Sequence, residues 1–82
     1  SLMSDAAAQV AYLLSDAFAH RGFDTEHAQM YAQMLVGLVS LTGQWWLETR
    51  QPDKESVAAH LVNLAWNGLD GLEPHPTLHG RG

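Results

Sequence analysis

The sequence predicts an all-α chain of three helices, and three observations lead there. Apolar residues recur at helical spacing along most of the chain, and no segment keeps the two-residue period of a strand. Gly22, the Gln51-Pro52 pair and Gly71 punctuate the chain at helix-length intervals. Residues 34–47, MLVGLVSLTGQWWL, carry no charge, yet Ser40, Thr42 and Gln44 lie among them. That stretch is too short and too polar for a membrane span, which needs ~20 apolar residues. It must be buried against protein.

The first helix is expected over residues 5–21. Ser4 is placed as its N-cap with Asp5 in the first turn, and His20 and Arg21 complement the negative end of the dipole. Gly22 follows as the residue that leaves the helix. At 3.6 residues per turn, Ala6, Val10, Leu13, Leu14, Ala17 and Phe18 share one stripe, with Tyr12, Ser15, Asp16 and Ala19 facing away. The apolar arc is about 160°, so this helix is one-sided.

The second helix, capped by Asp24 or Thr25, runs to Arg50, a length of about 40 Å. Glu26, Gln33, Ser40, Gln44 and Glu48 form its polar face. Tyr31, Met34, Leu35, Leu38, Val39, Trp45 and Trp46, flanked by Val36 and Leu47, cover the remaining arc of about 200°, twice what a one-sided helix needs. Gly37 and Gly43 each cost up to ~1 kcal/mol in a helix interior, which reads as close approach of another backbone. The third helix starts at Asp53, a strong N-cap after the proline break, and runs to residue 70 with Gly71 beyond it. Val57, Ala58, Leu61, Val62, Leu64, Ala65, Trp66 and Leu69 again cover about 200°, leaving only the stripe His60, Asn63, Asn67 and Asp70. Residues 73–82, with Pro74 and Pro76, read as a disordered tail after an ordered domain of residues 1–72.

Three helices cannot cover two such arcs among themselves. Hydrophobic residues are 46% of the chain and charged residues 16%, against about 25% in an average soluble domain. The least demanding second neighbour is the same helix pair from a symmetry mate, giving a four-helix bundle across a homodimer axis. The expected dimer edge carries Leu38, Leu41, Trp45, Leu61, Leu64 and Gly68, with Gly68 allowing close approach in line with Leu61 and Leu64. The opposite edges, with Leu35, Val39, Trp46, Val62 and Trp66, are expected to face the chain's own core. On that assignment Leu64→Glu dissociates the dimer, whereas Val62→Glu unfolds the protomer. Phe18, Tyr31, Met34 and Leu35 are the candidate edge of a small-molecule pocket between the first two helices.

Other chemistries find little footing. Nine acidic and four basic residues give a net charge of -5, which argues against this chain gripping a phosphate backbone or an anionic membrane. There is no cysteine for a disulfide or a thiolate. His75 and His79 stand four apart, but among prolines, and no HExxH-type spacing occurs, so no metal or cofactor is expected. No paired carboxylates share an apolar face and no motif surrounds Ser40 or Ser56, so the chain does not read as an enzyme. No signal-peptide pattern is visible at the start, which makes the cytoplasm the expected compartment.

The Leu35-Val36-Gly37 pattern, Trp45-Trp46-Leu47 near the helix end, the Pro52-Asp53 break, Val57-Ala58-Ala59-His60-Leu61 and Leu64-Ala65-Trp66-Asn67-Gly68-Leu69 together resemble the C-terminal part of TetR-type (tetracycline-repressor-like) transcription regulators. The resemblance covers residues 5–72. It implies that the three helices correspond to the last three of that family's C-terminal domain, with the final two forming the dimer bundle. It also implies an effector pocket shared with preceding helices, and a helix-turn-helix DNA-binding domain that is absent from these residues, so that the chain is a fragment. The expected function is therefore the dimerisation and effector-sensing part of a ligand-responsive repressor that meets DNA only through another domain. The alternative is a free-standing helical dimerisation or scaffold module.

Overall fold

The computed structural model describes residues 2–78 as three helices joined by short connections: α1 (Leu2–Arg21), a 3₁₀ turn (Thr25–His27), α2 (Ala28–Thr49) and α3 (Lys54–Asp70). No strand occurs among the described residues. The all-α, three-helix expectation holds. Residues 79–82, the last part of the expected tail, lie outside the described residues.

α1 is already helical at Leu2, so Ser4 sits inside its first turn and is not the N-cap. Leu and Met are good helix formers and carry the helix past the serine. The other end follows the sequence closely. Gly22 has φ +75°, the left-handed region where glycine carries no Cβ penalty. Its N–H donates to the Ala19 carbonyl (3.2 Å) and that of Phe23 to the Phe18 carbonyl (2.8 Å). This pair of bonds is a Schellman closure, and its usual hydrophobic contact is present as the Phe18 and Phe23 rings meet edge-on with centroids 5.7 Å apart.

Asp24 then caps the 3₁₀ turn, its carboxylate accepting from the Glu26 N–H at 2.9 Å. The α-helix proper begins only at Ala28, and α2 runs back along α1. Small residues let the two helices close together. Ala28 and Ala32 of α2 and Ala7 and Phe18 of α1 are the buried apolar residues among those described. Phe18 also meets Tyr31 edge-on, with centroids 5.5 Å apart.

α2 stops at Thr49, and Arg50 takes a left-handed conformation (φ 59°) with its N–H on the Trp46 carbonyl at 2.7 Å. The Trp46 indole N–H donates to the Pro52 carbonyl at 2.6 Å, and the Arg50 guanidinium lies 5.0 Å from the Trp46 ring centroid. Trp46 is thus the hub of the α2–α3 corner. Asp53 stands at the N-cap in extended conformation without a side-chain capping bond, so its strong-cap expectation is met in position only. Gly71 closes α3 at φ -99°, not in the left-handed region, so its lack of a side chain is not what ends the helix there. Arg21 bonds the last carbonyls of α3 from the side.

The result is open. The radius of gyration is 14.5 Å and the extents 40 × 36 × 19 Å, whereas a compact chain of this length has a radius of about 12 Å. Among the described residues, α1 and α3 nowhere bring Cα atoms within 8 Å of each other, and α2 meets α3 only sparsely. No residue of α3 is buried. Val57, Leu61, Ala65 and Leu69 are half-buried and lie four apart, so they mark the side of α3 turned to its own chain.

Candidate functional site

Two surfaces stand out: an apolar face on α2 and α3, and a cleft at the α1–α2 turn.

The apolar face grows from the mismatch between the arcs of α2 and α3 and the little protein available to cover them. With Leu61, Ala65 and Leu69 turned inward, Val62 and Trp66 lie one position further on, about 100° round the helix. They are 66% and 69% exposed, and Val39 on α2 is 56% exposed. These three residues were expected in the protomer core but are exposed: α3 turns its half-buried 57–61–65–69 row to its own chain, and the sequence pattern of an arc of about 200° could not distinguish that row from its neighbours. Leu35 and Trp46 are half-buried. Of the expected dimer edge, Leu41, Trp45, Leu64 and Gly68 are exposed, whereas Leu38 and Leu61 are half-buried. A Cβ added at Gly37, Gly43 or Gly68 would meet nothing of this chain within 4 Å, so no backbone of the same protomer approaches them. The chain as a whole exposes 6574 Å². A compact monomer of 9.0 kDa exposes about 4,800 Å².

The cleft has a volume of about 430 Å³. Its inner wall is aromatic and apolar, built from Phe18, Phe23, Met30 and Tyr31. These side chains come together because the Schellman turn brings Phe23 back onto Phe18, and the first turn of α2 lays Tyr31 across the other side. Asp24 and His27 stand on the rim from the 3₁₀ turn. The outer wall is the segment after α3, residues 72–77, which has no regular structure and contributes Leu72, Glu73, Pro74, His75, Pro76 and Thr77.

That segment leaves the end of α3 where Arg21 holds it. Its guanidinium donates to the carbonyls of Leu69 (3.0 Å) and Asp70 (3.3 Å) at the C-terminus of α3, the first of which also accepts from the Leu72 N–H. It also lies 4.6 Å from the Phe23 ring centroid. A single side chain therefore ties the end of α1, the turn and the end of α3 into one corner.

Of the four candidate pocket residues, the structure brings Phe18 and Tyr31 into this cleft. Met34 and Leu35 lie one turn too far along α2 and do not line it; Met34 is exposed and Leu35 half-buried. Sequence reasoning missed Phe23, Met30 and the whole outer wall. Phe23 had a signal, since an apolar residue directly after a helix-ending glycine packs back on the helix. The outer wall had none, because its position depends on a bond between residues 21 and 69. Among the described residues no group of three or more His, Asp or Glu side chains is placed to hold a metal ion. His20 pairs locally, with its Nδ1 2.8 Å from the Asp16 carbonyl oxygen. No described helix is long and apolar enough to cross a membrane.

A family model described as tetracyclin repressor-like, C-terminal domain, matches residues 2–78. No curated protein and no solved structure gives a match.

Proposed function

The chain belongs to the tetracycline repressor-like C-terminal domain family, and from that premise we propose that it is the dimerising and effector-sensing part of a ligand-responsive transcription regulator acting in the cytoplasm. The observation that carries the reading is the uncovered apolar face of α2 and α3. The surface in excess of a compact monomer is about 1,700 Å², while a standard interface takes about 800 Å² from each partner. A second copy supplying the same two helices makes a four-helix bundle in which each helix gains the neighbour its arc lacks. Leu41, Trp45, Leu64 and Gly68 belong to this interface together with Val62 and Trp66, with Leu38 and Leu61 at its inner edge.

In this reading a small molecule acts by favouring one relative pose of the protomers. Contact with DNA is made by residues outside this chain, whose own charge of -5 repels phosphate. A repressor dimer must present two readers about one DNA turn apart, so a change of pose at the dimer is enough to release the operator. Neither role requires a catalytic group.

Sedimentation of the 82-residue chain at micromolar concentration tests the interface. The expected outcome is a dimer of two 9.0 kDa protomers. A well-folded monomer would remove the basis of the reading.

A further inference from the structure

We propose that the cleft at the α1–α2 turn binds an organic cation, an ammonium carried on an aromatic or short alkyl group. The proposal deepens the effector-sensing reading and rests on it only for what binding accomplishes; the recognition itself rests on the cleft.

The chemistry is legible from its walls. A volume of about 430 Å³ lies in the range of small-molecule sites, which are largely apolar with a few convergent polar groups. The floor is aromatic: Phe18 makes edge contacts with both Phe23 and Tyr31, at interplanar angles of 72° and 81°. Phe18 is 3% exposed, so Phe23 and Tyr31, both half-buried, are the rings with surface left for a ligand, and an aromatic face attracts a cation. The charged groups on the lining are acidic, Asp24 from the 3₁₀ turn and Glu73 from the opposite wall, and no Lys or Arg lines it. An anionic ligand would meet two carboxylates, with His27 and His75 the other titratable side chains on the lining besides Tyr31. Arg21 lies beside the cleft, where two carbonyls of α3 and the Phe23 ring hold its guanidinium.

Pro74 and Pro76 restrict the backbone of the outer wall, so less conformational freedom is lost when a ligand is enclosed. A cation held between Asp24 and Glu73 joins the α1–α2 turn to the segment that continues α3. It therefore adds a second tie across the corner that Arg21 already clasps, and fixes the pose of α3, the helix offered to the partner.

The test is calorimetric titration of the whole chain with 2-phenylethylammonium, alongside the neutral 2-phenylethanol and the anionic phenylacetate. The ammonium is expected to bind about tenfold or more tighter than the alcohol, and phenylacetate to give no saturable binding. Glu73→Gln and Asp24→Asn, the latter retaining a capping side chain, are each expected to weaken the ammonium about threefold and leave the alcohol unchanged. Equal binding of ammonium and alcohol, or no saturation by the ammonium at ~10 mM in a folded dimer, overturns the proposal. Sedimentation of the same samples separates the two readings: a dimer that ignores the ammonium sinks the cleft alone, and a monomer that binds it sinks the interface alone.

Discussion

The α1–α2 turn and the middle of α3 are built on opposite principles. At the turn, Phe18, Ala28 and Ala32 are buried, and two aromatic contacts converge on one ring. Along α3 nothing is buried, and Val62, Leu64 and Trp66 lie open. Yet α3 is not loose. Its start is tied by the Trp46 indole on the Pro52 carbonyl and its end by Arg21 on the carbonyls of Leu69 and Asp70. Packing holds the hairpin, whereas polar clasps at two ends orient α3. Clasps set direction, but most of the stability of a helix in a protein comes from burying its apolar face. The difference teaches that α3 is positioned by its own chain while its apolar face is left for the proposed interface.

The strongest way to break this contrast is to empty the packed end. Phe18→Ala removes the ring that Phe23 and Tyr31 share, and a cavity of that size costs about 3–5 kcal/mol. For a domain of this length, where stability is roughly 0.1 kcal/mol per residue, that is a large fraction of the total. Thermal or urea unfolding is expected to show loss of cooperative folding or a severely lowered midpoint. A variant as stable as the parent would mean that the hairpin is not held at this ring.

The packed end was also the more legible in the sequence. Gly22 predicts a left-handed helix exit from composition alone, and the Pro52 break predicts the second corner, because both are local constraints on backbone angles. Pro and Gly signals fail where the decision is made at a distance. Gly71 has the right place for a left-handed exit and takes φ -99° instead, at an end of α3 whose last carbonyls Arg21, far away in sequence, bonds. Residues 72–77 continue from that clasped end and line the cleft with Phe18, which no local reading of a proline-rich segment can foresee. Likewise, an apolar arc of about 200° has no polar boundary to mark which row turns inward. The Leu61 row faces the chain's own side and the Val62–Trp66 row faces out, one residue's rotation from the expected arrangement. Of the four candidate pocket residues, Phe18 and Tyr31 line this cleft, whereas Met34 and Leu35 lie a turn further along α2.

The open face gives the next sharpest test. With Val62 exposed in the protomer, Val62→Glu is expected to leave the α1–α2 hairpin folded, contrary to what the pattern alone predicts, and to put an uncompensated charge into the proposed interface with a second copy. Leu64→Glu does the same. Burying an unpaired charge costs about 3 kcal/mol or more, which raises the dimer dissociation constant about 100-fold. Both variants are expected to sediment as monomers while the circular dichroism of the hairpin persists. If Val62→Glu unfolds the hairpin while Leu64→Glu merely dissociates, α3 is docked by the other row and the contrast is drawn the wrong way round.

The smallest effect sharpens the comparison most, because it addresses a clasp directly. Arg21→Ala removes both donors from the end of α3 and the cation from the Phe23 ring, but buries nothing and empties nothing. A cation at a helix C-terminus is worth about 0.3–1 kcal/mol at an exposed site, so the unfolding midpoint is expected to fall only slightly. The change should be local instead. The N–H groups of Gly71 and Leu72, which bond back to the Asn67 and Leu69 carbonyls, are expected to exchange with solvent several-fold faster, while amides around Ala28 and Ala32 keep their protection. Arg21→Lys separates the two parts of the effect. A lysine restores charge near the helix end as a single point, but it lacks the planar fork that reaches two successive carbonyls. It should recover the small loss of midpoint and leave the fast exchange at Gly71 and Leu72. Uniform acceleration of exchange across the hairpin in Arg21→Ala would show that the corner is held by this residue as a whole, and that the turn is not the independently packed region that Phe18 makes it.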